Sequence, residues 1–426
     1  MNSSLKINPI SHPLNATVRV PGSKSLTNRA LLIASLANGQ TRLTNALFSD
    51  DSRYFAKALQ TLGFDVQLDE ANHEMIVTGL GGKIPAKKAE LFIGNAGTAA
   101  RFLSAFLTLG HGEYILGGEP RMRERPIGDL VNALSQLGAK LETSNGCPPV
   151  KVSASGLPGG KATIAGDISS QFLSALLMVA PYAQSPVEIE LTTELNSKPY
   201  VDMTIATMKD FGVEIERDGY RSFRIPITNY ESRITYPIES DASAADYFFA
   251  APAICGGTIK VENISRKSVQ GDIAFLEVLQ QMGCDVTESD NSISVHRASR
   301  SSIVGIDVDL RDIPDTAQTL AAIAPFADSP TRIRGIASAR VKETDRVSAT
   351  CAELKRLGVR VEEHEDGMMI HPVEKMRAAS IQTYNDHRMA MSFALIGLRF
   401  DGVTIENPSC VSKTFPNYFD VLDTLR

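Results

Sequence analysis

The stretch Ser25-Leu26-Thr27-Asn28-Arg29-Ala30-Leu31-Leu32-Ile33-Ala34-Ser35-Leu36-Ala37-Asn38-Gly39-Gln40-Thr41-Arg42-Leu43 decides the fold. A polar start opens a helix whose later residues are small or apolar on nearly every side, which is the pattern of a buried helix. Asn38-Gly39 then reads as a polar turn, and residues 41–43 as the start of a strand. The same block begins again at Thr98, Ser169, Ser243, Asp315 and Asp386, at intervals of 73, 71, 74, 72 and 71 residues. A fixed period of this kind means one supersecondary unit copied several times.

A second block repeats in step with the first. An amphipathic helix ends in an apolar residue followed by Gly, and a strand of period 2 follows. Leu62-Gly63, Leu137-Gly138, Phe211-Gly212, Met282-Gly283 and Leu357-Gly358 carry it, at intervals of 75, 74, 71 and 75 residues. The last of these leads into a strand expected at 359–361. A sixth helix, expected over 417–425, runs to the chain end with no strand after it. Residues 4–7 alternate like a strand and can supply the missing one.

At 426 residues the chain is too long for one ordinary core. Six units therefore predict two domains of three. The first spans 21–241; the second spans 242–426 and is completed by residues 1–20, with crossings near Val20-Pro21 and Ser240-Asp241. An N-terminal strand packed within 21–241 would overturn that division.

The composition, 43% apolar and 22% charged with no Trp, is that of a soluble globular protein, and no segment approaches the run of about 18 apolar residues a membrane helix needs. The most apolar stretch, 172–183, is short and contains Pro181. Neither a secretory nor a transit signal is legible at the start, and five scattered cysteines make no Cys-x-x-Cys pair. A cytoplasmic location is expected. The net charge of −6 argues against broad polyanion binding, but leaves room for small anions in a local cluster of cations.

Most of the conspicuous polar residues fall at expected helix starts, where unpaired N–H groups and a partial positive charge suit phosphate or carboxylate. Gly22-Ser23-Lys24-Ser25, Gly94-Asn95-Ala96-Gly97-Thr98 and Ser169-Ser170-Gln171 combine that geometry with hydroxyls and small residues. Any one of them alone is an ordinary cap. Cations gather at the same class of position: Lys24 and Arg29; Arg121, Arg123 and Arg125 before Pro126, read as a first-turn residue; Lys198 before Pro199; Arg340, Lys342 and Arg346; His387-Arg388; and Lys413. Solvated surface charge does not explain cations placed repeatedly where the helix dipole disfavours them, at about 0.3–1 kcal/mol each. A multiply charged anionic ligand does. Two acids sit among these cations, Asp315 and Glu343, readable singly as an N-cap and a first-turn dipole partner. A carboxylate beside Lys and Arg stays ionised, as a proton acceptor must. No metal motif and no cofactor fingerprint occurs, so neither is expected.

Eight stretches, in this order, resemble the EPSP synthase (3-phosphoshikimate 1-carboxyvinyltransferase) family over essentially the whole chain: Pro21-Gly22-Ser23-Lys24-Ser25, Gly94-Asn95-Ala96-Gly97-Thr98, Arg121-Met122-Arg123-Glu124-Arg125-Pro126-Ile127, Ser169-Ser170-Gln171-Phe172, Ser197-Lys198-Pro199-Tyr200, Arg340-Val341-Lys342-Glu343-Thr344-Asp345-Arg346, Asp386-His387-Arg388-Met389 and Lys413-Thr414-Phe415-Pro416. The form is similar to the bacterial, glyphosate-sensitive class. The resemblance implies the enolpyruvyl transferase fold, an α/β fold of two domains, each of three βαβαββ units with buried helices, and an active site in the interdomain cleft. It also implies an addition–elimination reaction. The 5-hydroxyl of shikimate 3-phosphate attacks C2 of phosphoenolpyruvate while C3 is protonated, and the tetrahedral ketal phosphate expels phosphate and loses a C3 proton.

Carried over motif by motif, the resemblance assigns Ser25 and Arg29 to the shikimate carboxylate, and Ser169, Ser170, Ser197, Tyr200 and Ser338 to its 3-phosphate. Gln171, Asp315 and Lys342 address the ring and its hydroxyls, with Asp315 the proton acceptor. Lys24, Asn95, Gly97, Arg125, Gln171, Arg346, Arg388 and Lys413 hold phosphoenolpyruvate, Lys24 also meets shikimate 3-phosphate, and Lys24 and Glu343 deliver protons. Two positions depart from the family pattern: Ser338 stands where Asn is usual, and Phe102 replaces a common Pro just after Arg101. Gly97 is retained, so inhibition by glyphosate is expected, competitive with phosphoenolpyruvate. A monomer is expected, without nucleic-acid or membrane partners.

Three other readings compete. A UDP-N-acetylglucosamine enolpyruvyl transferase would carry Lys-Asn in place of Lys24-Ser25, and a loop Cys that Glu119-Pro120-Arg121 lacks. A non-enzymatic six-repeat DNA clamp would need basic exposed helices, whereas residues 102–109 and 172–180 are apolar on most sides. An RNA 3′-phosphate cyclase would need a nucleotidylated His, for which no motif exists.

Overall fold

The structure is a computed structural model that describes residues 4–298 and 303–426. The chain forms two compact units. One is Gly22–Ile238; the other joins the residues through Pro21 to Glu239–Arg426. The N-terminal residues 1–3, which belong to the expected completing segment, lie outside the described residues.

The first block of each repeat folds as a helix sealed from water. In Lys24–Leu36 eleven of thirteen residues are buried, and in Gly97–Leu107 all of them are. Ser170–Val179, Ala242–Cys255, Ala317–Ile323 and His387–Arg399 follow the same rule. Helices this apolar must be enclosed by other elements, and here sheets and amphipathic helices enclose them. The amphipathic second-block helices are Asp50–Thr61, Gly128–Gln136, Lys198–Asp210, Phe275–Gln281, Arg346–Arg356 and Tyr418–Asp423. Gly63, Gly138, Gly212, Gly283 and Gly358 all have φ between 83° and 96°. That is the left-handed stop a side chain resists.

Among the described residues there are six sheets, three per unit. Five share one pattern: a parallel pair, then two antiparallel strands. In Gly22–Ile238, Thr235–Pro237 runs parallel to Asn38–Thr44, which pairs antiparallel with Glu74–Leu80, which pairs antiparallel with Asp65–Asp69. The sixth sheet pairs Ala379–Ile381 parallel with Val403–Glu406, and Ser4–Lys6 antiparallel with the latter. Leu14–Arg19 runs parallel to Gly257–Glu262. Both N-terminal strands are thus held in the unit containing Glu239–Arg426.

Several element edges differ from the sequence reading. Asn38-Gly39 is not a turn: the strand already begins at Asn38, because Gly39 pairs with Gly79 and extends the ladder. Pro126 is not in a first helical turn. Residues Pro120–Glu124 form a short 3-10 turn, and the next helix starts at Gly128. The strand after Gly358 begins at Val361, not at 359. The final helix is Tyr418–Asp423, shorter at both ends than 417–425.

Candidate active site

In Gly22–Ile238 the starts of three buried helices are wired together by side chains. Arg29 is 1% exposed. Its Nε donates to Thr204 Oγ1 at 2.8 Å, its NH1 to the Ser25 carbonyl at 3.0 Å, and its NH2 to the Tyr200 carbonyl at 2.9 Å and to Ser174 Oγ at 3.4 Å. One guanidinium therefore fixes Lys24–Leu36 against Ser170–Val179 and Lys198–Asp210. Burial pulls its pKa down to about 10, with Tyr200 opposing, so it stays charged at neutral pH. Phe102 packs fully buried with the Arg29 guanidinium 5.4 Å from its ring centroid, a cation–π contact. The bulk of Phe102 is thus absorbed in the helix interface.

Gln171 ties the third helix start to the second, its Nε2 donating to Thr98 Oγ1 at 3.4 Å, while Ser169 caps its own helix by accepting from the Gln171 N–H. Ser197, at φ 57°, is the residue immediately before Lys198–Asp210, and its carbonyl accepts from the Tyr200 N–H. Arg125, 4% exposed, donates from NH1 to the Asn95 carbonyl at 2.9 Å and to Asn95 Oδ1 at 3.1 Å. Its guanidinium lies over Gly97: a Cβ built there would fall 2.3 Å from NH2 and 2.7 Å from Cζ. Only Gly admits the arginine at that helix start. Lys24 lies 4.0 Å from the buried Asp51 carboxylate. In this unit Lys24, Ser25, Arg29, Asn95, Gly97, Arg125, Ser169, Ser170, Gln171, Ser197 and Tyr200 belong to the linked helix starts.

In the other unit four cations meet three acids. Asp315 occupies a 3-10 turn, Pro314–Thr316, rather than an N-cap. Its Oδ1 accepts from Arg346 NH1 at 2.9 Å and lies 3.5 Å from Lys342 Nζ, and its Oδ2 accepts from Arg388 NH2 at 2.8 Å. Glu343 precedes the helix Arg346–Arg356 instead of lying in its first turn; it accepts from Arg346 NH2 at 2.8 Å and sits 3.8 Å from Lys413 Nζ. Asp386, fully buried, caps His387–Arg399 through the Arg388 N–H and accepts from Arg346 Nε at 2.8 Å. Burial works against the charge on Arg346, but Asp386, Glu343 and Asp315 outweigh it and hold its pKa above the ordinary arginine value. Ser338, on the 3-10 turn Ala337–Val341, is half-buried. Among the described residues no cluster of His, Cys, Asp and Glu could hold a metal ion, and no helix is long and apolar enough to cross a membrane.

Several residues of these clusters escaped the sequence reading. Asp51 and Tyr247, whose hydroxyl accepts from Arg388 NH1 at 3.2 Å, act by contacts that no local pattern announces, and Asp386, read only as the start of a repeat block and part of a motif, proves to be a partner of Arg346. Behind Arg388 stand Asp246 and Asp272. Both are buried, and Ser243 Oγ donates to Asp272 Oδ2. Burial, then the charge of Asp315, push Asp272 up to about 6, and burial with Asp272 pushes Asp246 well above the carboxylate range. An acid with a folded pKa above its ordinary value binds more protons folded than unfolded. Stability therefore falls as pH rises from about 4 through about 6. Asp272→Asn should remove the share of that dependence that Asp272 contributes, leaving the part due to Asp246. Urea unfolding at acid and neutral pH should show wild type losing on the order of 1–3 kcal/mol relative to the variant across this window; parallel curves would refute it.

Comparison with known proteins decides the family. The family model described as EPSP synthase (3-phosphoshikimate 1-carboxyvinyltransferase) matches residues 9–422. A 3-phosphoshikimate 1-carboxyvinyltransferase of Sulfurovum sp. is 50% identical over 427 residues, covering 99% of both chains. That of Nostoc punctiforme is 49% identical over 418 residues, covering 98% of this chain and 97% of its own. The chain belongs to the EPSP synthase family. Its activity is that of EPSP synthase, a step of the shikimate pathway of aromatic amino acid biosynthesis. Among solved structures, the EPSP synthase of Acinetobacter baumannii superposes with a TM-score of 0.81 at 25% identity, over 99% of this chain and 98% of that one. The enolpyruvyl transferase NikO of Streptomyces tendae gives 0.77 at 16% identity and speaks for the fold alone. The enolpyruvyl transferase fold accounts for the six mixed sheets among the described residues, and the first-block helices, such as Lys24–Leu36 and Gly97–Leu107, are buried rather than presenting the exposed basic face a DNA clamp requires. EPSP synthase membership implies shikimate 3-phosphate and phosphoenolpyruvate as substrates.

Proposed function

We propose that the enolpyruvyl group passes from phosphoenolpyruvate to the 5-hydroxyl of shikimate 3-phosphate by addition and elimination through a tetrahedral intermediate, with the two compact units acting as the three-repeat domains of the family. The observation that carries the reading is Asp315, whose carboxylate gathers Arg346, Arg388 and Lys342 within 2.8–3.5 Å. Cations in excess of acids at a buried position favour an anionic ligand, and an ionised carboxylate among them is a proton acceptor. Asp315 takes the proton of the 5-hydroxyl as that oxygen bonds to C2. Lys24 and Glu343 are the groups that deliver the proton to C3, and the fixed positive charge stabilises the departing phosphate.

Shikimate 3-phosphate is assigned to Lys24, Ser25, Arg29, Ser169, Ser170, Gln171, Ser197, Tyr200, Asp315, Ser338 and Lys342. Arg29 has most of its donors engaged within the protein, which supports a preset orientation toward the carboxylate. Ser338, shorter than the usual Asn, reaches the 3-phosphate through water. Phosphoenolpyruvate is assigned to Lys24, Asn95, Gly97, Arg125 and Gln171 of one unit, and to Arg346, Arg388 and Lys413 of the other. The enzyme works as a cytoplasmic monomer without a cofactor.

Glyphosate inhibits competitively with phosphoenolpyruvate in this account, and steady-state kinetics at varied phosphoenolpyruvate test it; no inhibition at millimolar glyphosate would refute it. Gly97→Ala provides a second check. The added methyl group must displace the Arg125 guanidinium, which is flexible, so the fold survives. KM for phosphoenolpyruvate should rise by about tenfold or more, with KM for shikimate 3-phosphate nearly unchanged. An equal rise in both would contradict the assignment of Arg125.

A further inference from the structure

The buried helices of the unit containing Glu239–Arg426 have a second set of ends. Ala242–Cys255, the turn Ala324–Phe326 that follows Ala317–Ile323, and His387–Arg399 all terminate around a cavity of about 400 Å³. By helix rise, Arg399 on its rim lies roughly 16 Å along the helix from Arg388. None of the residues assigned to the two substrates lines this cavity.

Its floor is apolar: Ile254, Phe326 and Phe400 face it. Its rim carries Lys375 and Arg399, and also Glu374. Among the described residues none of these three charged side chains has a hydrogen-bond or ion-pair partner in the protein. A cation at a helix C-terminus is favoured by the dipole, which accounts for Arg399 on its own. Glu374 and Lys375 stand on the neighbouring loop, and neither closes an ion pair with the other or with Arg399 among the described residues. A ligand bearing both a carboxylate and an ammonium completes the set. Arg399 presents a fork that matches a carboxylate, Lys375 adds a point charge, and Glu374 accepts from the ammonium. The volume suits a body of amino-acid size seated on aromatic and aliphatic side chains.

We propose that this cavity is a second small-molecule site, and that it binds an α-amino acid with an apolar side chain. The site is independent of the transfer chemistry. Glu374 selects the zwitterion over a simple carboxylate, and the floor selects an apolar side chain over a polar one.

Calorimetric titration of the full-length protein with L-phenylalanine tests the proposal. Binding should be saturable in the submillimolar to millimolar range, and should persist in saturating inorganic phosphate, which fills the anion clusters at the other helix ends. Arg399→Ala should weaken it by about tenfold, the loss of one charge-assisted fork. Glu374→Gln, on an exposed loop where folding is not at risk, should weaken L-phenylalanine by a similar factor without weakening 3-phenylpropanoate, which lacks the ammonium. Enolpyruvyl transfer by both variants should stay within about twofold of wild type. Absence of saturation at about 10 mM, loss of binding in phosphate, or indifference to both substitutions would overturn the site. Equal binding of 3-phenylpropanoate and L-phenylalanine by wild type would overturn the ligand class.

Discussion

Asp315→Ala is expected to lower kcat by about two to four orders of magnitude while both substrates still bind. The carboxylate is 13% exposed at its side chain and holds three cations, two of them by hydrogen bonds of 2.8–2.9 Å. Its removal takes away the proposed proton acceptor for the 5-hydroxyl but leaves Arg346, Arg388 and Lys342 in place. In the proposed assignment Arg346 and Arg388 then face phosphoenolpyruvate without that competing acid, so affinity for that anion should hold or improve. Asp315→Asn, which keeps the shape, should lose turnover to a similar extent, separating the proton transfer from packing. Equilibrium binding and single-turnover kinetics distinguish the outcomes. Unchanged kcat, or a loss confined to substrate affinity, would remove Asp315 from the chemistry.

Arg346→Met should be the most destabilising single change in its unit, costing about 3–5 kcal/mol. The guanidinium is 3% exposed and bonds Asp386, Glu343 and Asp315 together. Met fills much of the volume but leaves Asp386 fully buried and Glu343 nearly so without their main cation. An uncompensated buried carboxylate costs far more than a lost surface pair. Arg42→Ala makes the contrast. That arginine also forms a close pair, with Glu74 at 2.6 Å, but it is half-exposed, and its loss should cost less than about 1 kcal/mol. Urea midpoints for the two variants read the difference. Comparable losses would mean that the Arg346 network is not an energetic centre.

The fold was legible where the sequence departs from the average. Small apolar runs such as 30–36 have no reading except burial, and a Gly after the last apolar residue of an amphipathic helix marks a left-handed stop, as at Gly63 and Gly358. Edges were less legible, because partners decide them. Asn38-Gly39 looks like a turn until Gly79 is seen opposite, and Arg125-Pro126 looks like a helix start until the 3-10 turn before it is drawn.

The charged residues of the candidate site were partly visible for a similar reason: Lys24, Lys198, Arg346 and Arg388 do stand at helix starts against the dipole, whereas Arg125, Arg340, Lys342 and Lys413, expected at the same kind of position, close short 3-10 turns, where a cation is favoured. Their partners were not visible. Arg346 meets Asp386 across 40 residues, and Arg388 meets Tyr247 across 141. No local spacing encodes such pairs. Arg29 shows the converse. It reads as a ligand-binding arginine, and the structure adds that it also locks three helices together through Thr204, Ser174 and Tyr200.

The most direct test follows inorganic phosphate released from phosphoenolpyruvate by the purified protein, with and without shikimate 3-phosphate. A shared reaction of two gripped anions predicts release only when the acceptor is present, one phosphate for each enolpyruvyl ether formed, and almost none from Asp315→Asn. Phosphate released at the same rate without the acceptor, or no release with both substrates present, would contradict it.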